Sequence, residues 1–164
     1  MKRLLRLQSA LLREIDKYDK QEIQRDKFID WEKVHMVSCS KVGFLLAEAR
    51  GFDPELASCA CTVHDYGRII TGKQKGHAEA GFYPVKSFLK ETNLFSQEEI
   101  EEIALSVKNH SKKSEIGQPL EEIVKDADVI DFCQYGFSFD RDEQRERYER
   151  LQKDNIVSFY TGKK

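Results

Sequence analysis

Along most of this 164-residue chain the apolar residues recur at helical spacing, and no stretch of useful length alternates at the two-residue period of a strand. Helices with one apolar face bury it against one another, so the expected fold class is all-α, a helical bundle. Three prolines and a few glycines divide the pattern into about seven helices. The first covers about residues 2–17, with a stripe of Leu4, Leu5, Leu7, Leu11, Leu12 and Ile15. The second runs from Asp30, a candidate N-cap, to Arg50, burying Val34, Val37, Val42, Leu45 and Leu46, and Gly51 stops it. Asp53-Pro54-Glu55 is a start signal for a third helix that reaches His64-Asp65 and ends between Gly67 and Gly72. A fourth opens at His77, and Pro84 inside it predicts a break or kink. Ser96 to Glu99 forms a capping-box pattern ahead of a fifth helix ending at His110. Pro119 opens a sixth that ends near Gly136. A highly charged seventh spans about 140–154, and the last ten residues are expected to fray.

No repeat, low-complexity linker or composition shift interrupts this pattern, so the expectation is a single domain over residues 1–164. The net charge of −2 provides no overall basic field, which argues against nucleic-acid binding. No apolar run approaches the roughly 18 residues of a membrane span. The apolar stretch at the N-terminus is broken by Arg6, Arg13 and Glu14, so it reads as an amphipathic helix and not as an export signal. A cytoplasmic location follows as the expectation. Cys39, Cys59, Cys61 and Cys133 sit in apolar segments and are expected to be reduced, buried residues. The charged last helix either coats the bundle or serves a homodimer.

Chemistry concentrates in a short inventory. There are four histidines, His35, His64, His77 and His110, each within a helical segment or near its end. Asp65 follows His64 directly, and Asp126, Asp128 and Asp131 share one late helix. Imidazole nitrogen and carboxylate oxygen together suit borderline to hard divalent ions. On a helical wheel Asp128 points well away from the apolar stripe while Asp126 and Asp131 flank it, so periodicity alone does not choose between Asp126 and Asp128.

The order His35, His64-Asp65, Asp128 resembles that of the HD superfamily, named for its adjacent His-Asp pair. The segments VHDYGR and VKDADVIDF resemble that family's helix-ending and late helical motifs, and the likeness covers about residues 30–135. The resemblance implies a first metal on His35, His64, Asp65 and Asp128. It implies a second on His77 and His110, with Asp65 as the bridge. The Ala127-Asp128 context selects Asp128, leaving Asp126 to orient a histidine from behind. Helix 2–17 and helix 140–154 would pack on this HD-like core.

The implied activity is hydrolysis of a phosphate ester of a small molecule, a nucleotide among the candidates, by metal-activated water. Asp65 and Arg68 are the implied catalytic residues, Arg68 as a phosphate contact. Lys73, Lys75, Lys112 and Lys113 are candidates to line the pocket mouth. The cofactor is one or two divalent ions: iron, manganese, zinc, nickel or cobalt, with magnesium also compatible. Two other readings use the same residues: a non-catalytic HD-like binding or regulatory domain, and a di-iron oxygenase of the HD type.

Overall fold

The computed structural model describes residues 1–21 and 23–154, and the expectation for the last ten residues falls outside them. Among the described residues the chain forms eight helices and no strand: α1 (Lys2–Asp19), α2 (Ile29–Arg50), α3 (Pro54–Val63), α4 (Tyr66–Thr71), α5 (His77–Thr92), α6 (Gln97–Asn109), α7 (Pro119–Gln134) and α8 (Asp142–Lys153). The expected third helix is two, because the backbone leaves helical geometry at Asp65 (φ −93°, ψ 15°) before α4 begins.

Local signals act where their chemistry predicts. Asp53 caps α3 by accepting from the backbone N–H groups of Glu55 and Leu56, and Pro54 opens the helix. Ser96 and Glu99 complete both halves of the capping box on α6. Gly51 ends α2 at φ 67°, in the left-handed region.

Three expectations are corrected. Helix α2 starts at Ile29 with Phe28 as its N-cap, so Asp30 sits inside the first turn, where its charge faces the positive end of the helix. Helix α5 runs unbroken through Pro84. The proline ring there removes the donor to the carbonyl of Ala80, an exposed residue whose carbonyl water can satisfy. The buried face of α2 also lies elsewhere. Val34, Val37 and Leu45 are exposed, while His35, Met36, Cys39, Val42 and Leu46 point inward. Polar residues destined for the interior had displaced the apparent stripe.

Helix α2 packs on α3 and α7, α4 on α5, and α5 on α6, while α1 crosses α2 and α3. Leu4, Leu7, Leu11 and Ile15 of α1 join the core, whereas Leu5 and Leu12 face out. Cys39, Cys59 and Cys61 are buried as free thiols in that core, and Cys133 is half-buried. Among the described residues no helix is long and apolar enough to cross a membrane.

Candidate metal centre

Six polar side chains converge where α2, the α3–α4 turn, α5, α6 and α7 meet. They are His35 from mid-α2, His64 and Asp65 from the α3–α4 turn, His77 from the start of α5, His110 at the end of α6, and Asp128 of α7. The four histidines and Asp65 are buried. Two glycines allow the convergence. A Cβ on Gly67 of α4 would lie 1.9 Å from the carbonyl oxygen of His77, and one on Gly81 of α5 would lie 2.9 Å from the backbone nitrogen of Gly67. Backbone thus meets backbone at the α4–α5 crossing, and Asp65 is brought to His77.

Every histidine uses Nδ1 outward and turns Nε2 inward. Nδ1 of His64 donates to the Cys61 carbonyl at 2.7 Å, that of His77 to the Gln74 carbonyl at 2.6 Å, and that of His110 to the Val107 carbonyl at 2.6 Å. Nδ1 of His35 bonds Oδ2 of Asp131 at 2.6 Å. A carbonyl can only accept, so these rings carry their proton on Nδ1, and in the neutral form Nε2 is a bare lone pair. The inward nitrogens form two pairs: His35 and His64 at 3.2 Å, and His77 and His110 at 2.9 Å.

Asp65 lies between the pairs and divides its oxygens. Oδ2 is 3.4 Å from Nε2 of His35 and 3.2 Å from that of His64. Oδ1 is 3.0 Å from Nε2 of His77 and 3.5 Å from that of His110. Asp128 Oδ1 joins the first pair, 3.3 Å from His35 and 3.6 Å from His64.

This donor set fits divalent ions. Ligands at about 2.0–2.2 Å from one ion lie about 3 Å apart, which is the spacing found here. Two facing lone pairs also repel unless a cation stands between them. Burial pushes His110 down to about 3, reinforced by His77 and His64 against the pull of Asp65. At neutral pH His110 therefore supplies a lone pair and no proton. In the other pair burial opposes protonation of His35, but Asp128, Asp131 and Asp65 outweigh it and raise its pKa well above the usual histidine range. Protons and a metal ion therefore compete for that pair.

Each carboxylate has a buried cation at its back. Burial raises the pKa of Asp65, but the charges of Arg68 and His64 outweigh it and hold the carboxyl well below the usual range. Burial likewise disfavours ionised Asp128, and Lys113 with His35 and His64 reverses the balance. Lys113 Nζ bonds Asp128 Oδ2 at 2.6 Å and also reaches the Lys125 carbonyl, leaving Oδ1 for the histidines. The expectation that Lys113 lines the mouth is thus corrected, because its side chain is wholly buried. Lys73 is exposed and faces Asp26, and Lys112 is half-buried and faces Glu115.

Arg68 is heavily committed. Nε and Nη2 grip both oxygens of Glu32, at 2.7 and 3.1 Å, Nη2 also bonds Asp65, and Nη1 donates to Gln74 at 2.8 Å. One of the five guanidinium hydrogens, on Nη1, remains free for a ligand. Asp126 does not back a histidine; it is clasped by Arg50 and Arg147. Asp131 takes that place behind His35, and its Oδ1 is buried without a partner. The helical wheel marked Asp131 only as a flanking residue, so it was not singled out. Glu32 and Cys39 were also missed. Cys39, one helical turn after His35, brings its sulfur within 4.8 Å of ligand atoms of His35 and His64. That spacing was the available signal. Burial raises the Cys39 pKa well above the usual range, so it stays a thiol.

The cage forms the floor of a cavity of about 240 Å³, walled by Trp31, Phe132, Ser111 and Gln74, with Lys27, Asp140, Arg141 and Gln144 also lining it. Trp31 stacks on His35 at 4.9 Å between ring centres. A family model described as the HD domain matches residues 34–133. No curated protein and no solved structure matches the chain.

Proposed function

Because this chain belongs to the HD domain family, whose members are of the metal-dependent phosphohydrolase type, we propose that it hydrolyses a phosphate ester of a small molecule, a nucleotide among the candidates. One observation carries the reading: Asp65 divides its two oxygens between two histidine pairs whose inward Nε2 atoms face each other. On this reading His35, His64, Asp65 and Asp128 hold one divalent ion, and Asp65, His77 and His110 hold another.

Such ions supply Lewis acidity, which can lower the pKa of water from about 15.7 to about 7 and neutralise phosphate charge. The chain's own groups do the rest. The backbone carbonyls behind His64, His77 and His110, and the Asp131 carboxylate behind His35, fix each ring so that Nε2 faces the reaction. Arg68 and Lys113 keep Asp65 and Asp128 ionised and aimed, and the remaining Nη1 hydrogen of Arg68 is offered to a phosphate oxygen. Burial of the cage limits water to the cavity side, where a phosphate ester enters.

The test is metal analysis of the purified chain together with phosphate release from a panel of phosphate esters, with and without chelator. The reading expects bound divalent metal, with release lost on chelation and lowered at least 100-fold in Asp65→Ala. A metal-loaded chain inactive across the panel overturns it. The six-ligand cage equally suits a di-iron oxygenase, and substrate-dependent oxygen uptake with bound iron would move the assignment there.

A further inference from the structure

We propose that Lys27 and Arg141 form an anion-recognising rim that selects phosphate esters carrying a second anionic group, a carboxylate or phosphate, away from the scissile bond. This rests on the hydrolase reading for the substrate's reacting end and adds the recognition of its far end. The cations behind the cage carboxylates are already committed, Arg68 to Glu32 and Asp65, and Lys113 to Asp128. Lys27 and Arg141 line the same cavity and are differently placed.

Lys27 is half-buried, and among the described residues no acid pairs with it. Its ammonium lies over two aromatic faces, 5.8 Å from the ring centre of Phe132 and 5.7 Å from that of Phe137. Ring faces attract a cation without supplying a counter-charge, so Lys27 is held in place and its charge is left for a ligand. Arg141 uses Nη1 alone for its neighbours, donating to the Ser111 carbonyl at 3.2 Å and facing Glu143 at 3.2 Å. Its Nε and Nη2 hydrogens are uncommitted. Asp140 brings one carboxylate to the cavity and Glu143 engages only Nη1 of Arg141, so the Lys27 ammonium and the Nε–Nη2 edge of Arg141 are the donors left without an acid partner.

Depth separates the two ends. The Arg141 side chain is 42% exposed, against 8% for Asp65 and 2% for His35. A phosphoryl group seated on the cage therefore leaves the rest of the molecule directed at the rim. Both rim cations lie outside the segment that matches the family model, residues 34–133, so the rim is built from this chain's own flanks.

The test compares binding of 3-phosphonopropionate and propylphosphonate, a matched pair with and without the distal carboxylate, to the metal-loaded chain by calorimetry. The expected result is about tenfold tighter binding of 3-phosphonopropionate to the wild type, an advantage that shrinks as salt rises. In the double variant Lys27→Gln, Arg141→Gln that advantage falls below about twofold, while propylphosphonate affinity and the circular dichroism spectrum are unchanged. Equal affinity of the wild type for both probes, or equal weakening of both in the variant, overturns the rim. Neither compound is hydrolysed, so an inactive chain that still discriminates them would retain the rim and lose the hydrolase reading.

Discussion

Lys113 is the residue whose role is most sharply defined by what surrounds it. A fully buried ammonium with one carboxylate partner costs desolvation on both sides, and such pairs persist where the geometry is good. Removing the cation leaves the half-buried Asp128 charge without its Lys partner, with only the rings of His35 and His64 beside it. Lys113→Met is therefore expected to destabilise the metal-free chain by about 3–5 kcal/mol in urea unfolding. A divalent ion against Asp128 would replace the lost positive charge, so the penalty should shrink clearly when manganese or zinc is added. An identical penalty with and without metal would separate Lys113 from the cage. At this scale the sequence was only partly readable. Four histidines and an Asp following one of them are identities, visible in a string of letters. That Arg68 is held by Glu32, or that Asp131 backs His35 across 96 residues of chain, depends on side-chain directions that no local pattern encodes.

Among elements, the α4–α5 crossing is the joint that assembles the two halves of the cage. Helix α4 has only six residues and contributes little stability alone, so its position is set by what it packs against. At Gly67 the partner is the backbone of His77 itself. Gly67→Ala is expected to force α4 away from α5 and to separate Asp65 from His77 and His110. The predicted readout is metal stoichiometry: near two ions in the wild type and one or fewer in the variant, with stability lowered by about 1–3 kcal/mol. Unchanged stoichiometry would mean that the crossing tolerates a methyl group. The sequence announced Gly67 only as the end of a helix. Its real constraint is steric, and steric contact between elements appears only once both are placed.

On the scale of the whole molecule, α8 lies beyond the matched family segment yet is fastened to the site's supporting loop. Arg147, buried, reaches Asp126, Glu122 and the carbonyl of Lys113, while Arg141 reaches the carbonyl of Ser111. Burial raises the Glu122 pKa, but Lys125, the Gly117 N–H and Arg147 outweigh it, and the net shift is downward. A carboxyl whose folded pKa is depressed stabilises the fold above its unfolded value of about 4.3, and that contribution is lost as pH falls through the folded value. Urea unfolding of the wild type and Glu122→Gln should thus differ by about 1 kcal/mol from pH 5.5 to 7 and converge below about pH 4. A difference independent of pH would contradict this role for the charge. Helix content, most helix starts and stops, and the chemical identity of the candidate ligands were determined by the sequence alone, because periodicity, capping and side-chain chemistry are local properties. Asp128 over Asp126, and Asp65 between two pairs, were implied by the family resemblance and not by periodicity; tertiary structure alone decided that each Nε2 turns inward, how Asp65 divides its oxygens, and that Asp126 is turned to Arg50 and Arg147 instead. Those outcomes require the six helices α2 to α7 to meet, and the meeting is fixed by packing between residues far apart in the chain.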